Sequence, residues 1–319
     1  MIEALKHFIY IYILFFLFLE GFSQDPHFTQ FYSNPLYLAP SFAGATEEFR
    51  VTSNYRNQWP SIPGGYETYS FSADHYFSNF NSGVGVLILR DDAGAGNLGL
   101  TSLGLQYSFD FMINKLWHIR PGLSFNYMML GLDFNQLIFS SPTEISPGEI
   151  AGDVDFGSSV LVYDSRFWFG VGADHLLKPN LSFYEDQAVV PLKFSVFGGA
   201  QIIKQGRLLR PIDETISVAF LYRDQAKNKQ LDLGLYWYKY PMVLGIWYRG
   251  IPPFNSNRGD ALSLLTGFKT RNLSIGYSYD FTISNLISSV GGAHELSVVY
   301  EFKIKKGKRR IHAIPCPEF

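Results

Sequence analysis

The sequence predicts an all-β chain: a transmembrane antiparallel β-barrel of about 14 strands, of the outer-membrane type. The first observation behind this is strict alternation. Leu273, Ile275, Tyr277, Tyr279 and Phe281 alternate with Asn272, Ser274, Gly276, Ser278 and Asp280. Leu296, Val298, Tyr300 and Phe302 then alternate with Ser297, Val299 and Glu301, Val299 being the one lapse. A period of two is a strand with one apolar and one polar face. The second observation is composition: 17% of residues are charged and 17% aromatic, against about 25% charged in a soluble domain. A lipid band takes the apolar excess and its interfaces take the aromatics. The third is the spacing of the strands, whose connections alternate between short and long.

In chain order, residues 1–23 read as a secretory leader. Lys6 supplies a positive start, Ile9 to Leu19 an apolar run, and Gly21 and Ser23 the small residues of a cleavage site, so the mature chain is expected to begin at Gln24. That run is shorter than the roughly 20 apolar residues of a spanning helix. No cysteine follows the leader directly, which excludes a lipoprotein. Residues 24–46, rich in proline and aromatics, are expected outside the barrel in the periplasm. The barrel itself is expected over 47–304, and a basic periplasmic tail over 305–319.

The fourteen strands are expected near 49–59, 67–77, 83–90, 99–111, 116–131, 155–163, 166–175, 191–203, 214–223, 230–239, 242–250, 259–269, 271–282 and 294–304. Some alternate cleanly, such as Phe49, Val51, Ser53 and Tyr55 against Arg50, Thr52, Asn54 and Arg56. Two do not: 83–90 alternates poorly, and 230–239 is apolar toward its end. Long links at 60–66, 91–98, 133–154, 176–190, 252–258 and 283–293 are expected outside, and short turns inside, so both termini are expected in the periplasm.

The chemistry the residues offer is limited. A net charge of −2 points to no nucleic acid partner, and the single cysteine, Cys316, forms no disulfide or metal-ligand set. Arg50, Arg56, Asp74, Asp110, Asp174, Asp232, Arg249 and Asp280 fall on or near polar-face positions, as a lumen of paired charges requires. His75 and His175 each follow an aspartate, but adjacent strand residues point to opposite faces, so neither pair makes a catalytic couple. No G-x-S-x-G occurs, and the glycine-rich stretch at 91–96 lacks the Lys-Ser/Thr of a phosphate loop. No catalytic residue, cofactor or metal is expected.

The motifs that follow the leader are more specific. Gln24-Asp25-Pro26-His27-Phe28-Thr29-Gln30-Phe31-Tyr32-Ser33-Asn34-Pro35-Leu36 leads into Pro40-Ser41-Phe42-Ala43-Gly44, and the first strand ends Asn54-Tyr55-Arg56-Asn57-Gln58-Trp59-Pro60. Asp91-Asp92-Ala93-Gly94, His175-Leu176-Leu177-Lys178-Pro179-Asn180, Gly276-Tyr277-Ser278-Tyr279-Asp280-Phe281 and Gly291-Gly292-Ala293-His294-Glu295-Leu296 follow in order. Together these resemble the PorP/SprF family of outer-membrane proteins of type IX secretion, with Ala39 standing where the family pattern has Asn. The resemblance implies a non-enzymatic barrel that supports export or surface attachment of large proteins, such as gliding adhesins. The implied partners are the C-terminal sorting domain of the cargo and periplasmic and outer-membrane parts of the secretion machine, with the lipid bilayer around the barrel. Two other classes remain open on the residues alone. One is an outer-membrane channel for small apolar or neutral solutes. The other is a lipid hydrolase, which needs Ser and His on one face of neighbouring strands.

Two sets of residues are candidates for partner binding. Leu137, Ile138, Phe139, Phe183, Tyr184, Leu286 and Ile287 put apolar groups on the longest loops, where exposed apolar side chains mark contacts. The alternative is that these loops fold inward and plug the lumen. In the tail, Arg309 and Arg310 precede an apolar, proline-bounded end that includes Cys316, the pattern of a docking peptide, with a solvated run that halts at the membrane edge as the alternative.

Overall fold

The computed structural model describes residues 25–46, 49–94, 98–132, 150–183, 187–206, 212–250, 259–283, 291–302 and Ile314. Its strands are β1 (Phe49–Gln58), β2 (Tyr66–Phe77), β3 (Ser82–Ala93), β4 (Leu98–Phe109), β5 (Phe111–Met112), β6 (His118–Gly131), β7 (Ile150–Tyr163) and β8 (Phe167–Asp174). They continue as β9 (Lys193–Gly206), β10 (Ile212–Gln225), β11 (Asn228–Lys239), β12 (Met242–Gly250), β13 (Gly259–Lys269), β14 (Leu273–Thr282) and β15 (Ala293–Phe302). Every pairing is antiparallel between neighbours in the chain, β1 pairs with β15, and β4 with β6. The sheet therefore closes on itself. β5 is a two-residue extension of β4 after Asp110, which leaves a closed antiparallel barrel of 14 staves. Closure removes every sheet edge, as a lipid-facing sheet requires. No described helix is long and apolar enough to cross a membrane.

The outer face carries the apolar members of each alternation. Phe71, Val84, Val86, Ile88, Leu103, Leu105, Leu123, Phe125, Phe169, Leu235, Ile246 and Leu264 are all exposed, on strands whose alternate residues are buried. These form the lipid band. The two poorly alternating segments have a physical cause inside. Leu87 and Leu89 of β3 point inward and line a cavity with Leu36, Tyr37 and Met128, and Tyr236 and Tyr238 of β11 point inward into an apolar cluster, so inward positions of those strands are apolar too.

One end of the barrel carries the long connections, 59–65, 132–149, 175–192, 251–258 and 283–292, and two short ones, 94–97 and 226–227; the link expected over 91–98 shrinks to 94–97 because β3 and β4 stay paired out to Ala93 and Leu98. The other end carries short turns at 78–81, 113–117, 164–166, 240–241 and 270–272. β7 begins at Ile150, five residues before its expected start, because Ile150–Val154 pair with Gly131–Tyr127 of β6.

The expectation for residues 24–46 is overturned. The segment 25–46 does not lie outside the barrel but runs through its lumen, with Phe28, Gln30, Asn34, Ser41 and Ala43 fully buried. Its proline-bounded turns, Phe31–Ser33, Pro35–Leu38 and Pro40–Phe42, make a compact strap. A chain of this polarity inside a barrel needs partners for its backbone, and inward side chains of the wall supply them.

Candidate functional site

The strap has two faces, and each meets a different part of the wall. Its apolar side, Phe31, Tyr32, Leu38 and Phe42, joins a luminal core with Tyr163, Trp168, Phe197, Leu221, Tyr236, Trp247 and Leu265 from β7 to β13. Phe31 packs on Trp247 with ring centroids 4.7 Å apart, and Phe42 on Phe197 at 5.5 Å. The Tyr32 hydroxyl accepts from the Trp168 indole at 3.1 Å and donates to the Gly198 carbonyl at 3.1 Å. Ile314 of the tail packs against this core as well.

The polar side faces β1, β2, β14 and β15. Thr29 and Gln30 donate their backbone N–H groups to the two carboxylate oxygens of Glu295, at 2.7 and 2.8 Å. The Thr29 hydroxyl donates to Asp280 at 2.8 Å and accepts from Arg56 at 2.8 Å and Arg249 at 2.6 Å. Arg56 in turn pairs with Asp280 at 2.8 Å and Glu295 at 3.0 Å. The Gln30 side chain donates to Ser278 at 3.0 Å and accepts from Ser297 at 2.6 Å. Two cations, two carboxylates and a threonine thus share a buried network, in which low dielectric strengthens each bond.

Further along, the Asn34 amide donates to Ser70 at 2.9 Å and the Gln106 amide to the Leu36 carbonyl at 2.8 Å. At the short-turn end, Gly44 N–H donates to Asp74 at 2.7 Å, and Arg50 holds Asp74 at 2.8 Å. Arg120 donates to the carbonyls of Ala43 and Gly44. Here the wall approaches so closely that a Cβ at Gly83 would fall 1.8 Å from the Ala43 oxygen. Only glycine fits there.

The beginning of the strap is clamped at the opposite end. Asp25 accepts from Lys193 at 2.7 Å, from His175 Nε2 at 3.0 Å and from the Gln225 amide at 3.1 Å. His175 Nδ1 lies 2.8 Å from Asp155, so one imidazole joins the strap to β7. Burial alone would lower the His175 pKa, but the charge of Asp25 and hydrogen bonds to Asp155 and Asp25 outweigh it and hold the ring up at about 9. Burial would raise Asp25; Lys193 and His175 overcome it and hold the carboxyl well below its usual range. Beside it, Arg223 Nη1 lies 2.8 Å from His27 Nδ1, and burial together with Arg223 keeps His27 well below its ordinary value.

Asp25 therefore sits at the long-loop mouth, whereas Phe302, paired with Phe49, sits at the short-turn end. Asp25 and Phe302 thus lie at opposite ends of the barrel, while Ile314 of the tail packs against the luminal core.

The expected polar-face charges do meet: Arg50 with Asp74, Arg56 with Asp280, Arg249 with Asp280 at 3.3 Å, and Asp232 with Arg223 at 2.8 Å. His175 is oriented by Asp155 and Asp25 and not by its neighbour Asp174. Of the partner-binding candidates, Phe183 is half-buried in the 175–192 loop. In that loop Leu181 and Val190 fold inward onto Met128, the inward arrangement that stood as the alternative to an open docking face. Leu137, Ile138, Phe139, Tyr184, Leu286, Ile287, Arg309, Arg310 and Cys316 lie outside the described residues. Sequence reasoning missed Asp25, Thr29, Gln30, Lys193 and Glu295 as site residues. Glu295 sits on the polar face of β15, and that was the available signal.

A comparison with curated protein sequences found no match. Among solved structures the chain is similar to the outer membrane protein Omp33 of Acinetobacter baumannii, at 11% identity over 81% of this chain and 100% of that one, TM-score 0.45. It is similar to the CymD monoaromatic hydrocarbon channel at 11% identity, 85% and 93% coverage and TM-score 0.49. A FadL homologue of Pseudomonas aeruginosa gives 12% identity, 83% and 93% coverage and TM-score 0.46. The family model of the type IX secretion system membrane protein PorP/SprF matches residues 20–300, from before the strap into the last strand. The chain belongs to the PorP/SprF family of type IX secretion membrane proteins, and its barrel lies in the outer membrane.

Proposed function

We propose that this barrel is a closed, non-enzymatic scaffold of type IX secretion. It holds secreted cargo by the cargo's C-terminal sorting domain at the long-loop mouth, with that mouth facing the cell exterior. The observation that carries this reading is the strap. A lumen crossed by residues 25–46, and bonded across by the Arg56, Asp280, Glu295 and Thr29 network, argues against free solute flow and for a working surface at the ends. Loops on a rigid scaffold are where such contacts are made. The partners that fit are the sorting domain at one end and secretion-machine components at the other.

The test is an affinity pull-down of the tagged barrel from solubilised outer membrane, with single-channel conductance of the same preparation. Recovery of a secreted protein through its sorting domain, from a barrel that does not conduct, is the expected result. Steady conductance by the intact chain, with no cargo recovered, would replace the scaffold with a channel.

A further inference from the structure

The lipid-facing wall has a notch near its short-turn end, and nothing in the scaffold reading uses it. The outward positions of β9 there are Gly198 and Ala200, registered against Phe169 and Phe167 of β8 and Phe220 and Val218 of β10. A strip of wall with almost no side chain is thus flanked by rings: Phe169 and Phe220 stand 6.4 Å apart across it. Trp117, from the neighbouring turn, and Phe167 close its lower end. The space is about 640 Å³ and its lining is almost wholly apolar, within the roughly 300–1,000 Å³ of sites that take a small molecule.

Below the notch, at the level of a headgroup, stand four exposed cations: Lys115, Arg166, Lys204 and Lys239. Among the described residues none of them is in an ion pair. Two described carboxylates share that rim, Asp164, which accepts the Arg166 and Phe167 backbone N–H groups, and Glu214, which accepts the Trp237 indole at 2.7 Å; they offset two of the four cations and leave the described rim net positive. The notch is continuous with the lipid band, and its open end meets an excess of positive charge among the described residues. An apolar chain with a phosphate at one end satisfies both.

We propose that this notch is a binding site for one glycerophospholipid of the leaflet at the short-turn end. One acyl chain lies over Ala200 between Phe169 and Phe220, and the phosphate meets Arg166 and Lys115, the cations beside the Phe167 and Trp117 that close the lower end.

The test is native mass spectrometry of the full-length barrel released from bilayers of phosphatidylglycerol and phosphatidylethanolamine. Wild type is expected to keep one phospholipid under activation that strips all others. Ala200→Phe fills the notch from an outward position and should lose that lipid. Arg166→Glu with Lys115→Glu should weaken its retention roughly tenfold. Heat-modifiable migration on gels shows that each variant is still a folded barrel. Retention unchanged in Ala200→Phe, or a graded series of lipids with no single tight one, would overturn the proposal. So would a wild-type dimer that Ala200→Phe splits, which would make the notch an interface between copies.

Discussion

Arg56 and Asp280 meet at 2.8 Å although β15 lies between their strands, and the Thr29 hydroxyl bonds both of them. Each of these side chains is nearly fully buried, so removing one leaves an uncompensated charge. Arg56→Ala should destabilise the barrel by about 3–5 kcal/mol, because Glu295 would stay buried without a cation and Asp280 would keep only the longer pair with Arg249. Denaturant unfolding in micelles measures this. A loss below about 1 kcal/mol, the value of an exposed pair, would mean that water reaches the network.

The clamp at Asp25 makes strap anchoring depend on pH in both directions. His175 titrates at about 9 when folded, above its ordinary value, so its contribution is complete below roughly 6.5 and lost as pH rises through 9. Asp25 is depressed, so its contribution is present above roughly 4 and lost as pH falls. Hydrogen exchange of the 25–34 peptide, corrected for intrinsic rate, should show greatest protection between about pH 4 and 6.5. Protection that stays flat from pH 7 to 10 would sink the His175 assignment, and His175→Gln should abolish the alkaline step.

Deleting residues 25–44 should open the lumen while the wall still closes, because every pairing of β1 to β15 is made without them. Planar-bilayer recordings should change from closed to steadily conducting. A silent deletion variant with barrel mobility on gels would place the seal in the loops.

Gly83→Ala tests the same seal with one methyl group. Its Cβ would overlap the Ala43 carbonyl, and backbone on both sides leaves little room to relax. The expected result is a strap loosened at the short-turn end, with protease cutting between Phe42 and Phe49. Resistance equal to wild type would refute the close approach.

An epitope placed between Ser23 and Gln24 should be reached from the side that carries the long loops, since Asp25 bonds to His175, Lys193 and Gln225 there. Antibody binding to intact cells, matched against a tag in the 175–192 loop, reads this directly. Labelling only after permeabilisation, with the loop tag labelled on intact cells, would mean that the strap enters from the other end.

The strands were legible because lipid outside and polar groups inside impose a period of two. β12 and β13 were read to the residue and most others within two or three. The reading weakened at β3 and β11, where Leu87, Leu89, Tyr236 and Tyr238 face an apolar strap, and an apolar lumen erases the alternation. The paired charges were visible as polar-face residues, but their common partner was not. Residues 25–46 carry aromatics, prolines and polar groups with no period, and nothing local distinguishes a segment lying on a barrel from one threaded through it. The distinction lies in contacts such as Thr29 with Glu295, 266 residues apart.

That separation bears on how the molecule is put together. Thr29 and Gln30 are among the first mature residues to be made, and the strand they grip, β15, is the last. β15 is also the strand that closes the ring on β1. An assembly in which the strap already lies in the trough of the growing sheet when the final strand arrives seats it without threading a closed ring, as a ship lies in a bottle whose glass is drawn round it. Glu295 then reports that the whole chain is present: a product truncated before β15 has neither a closed ring nor a carboxylate to seat its own beginning.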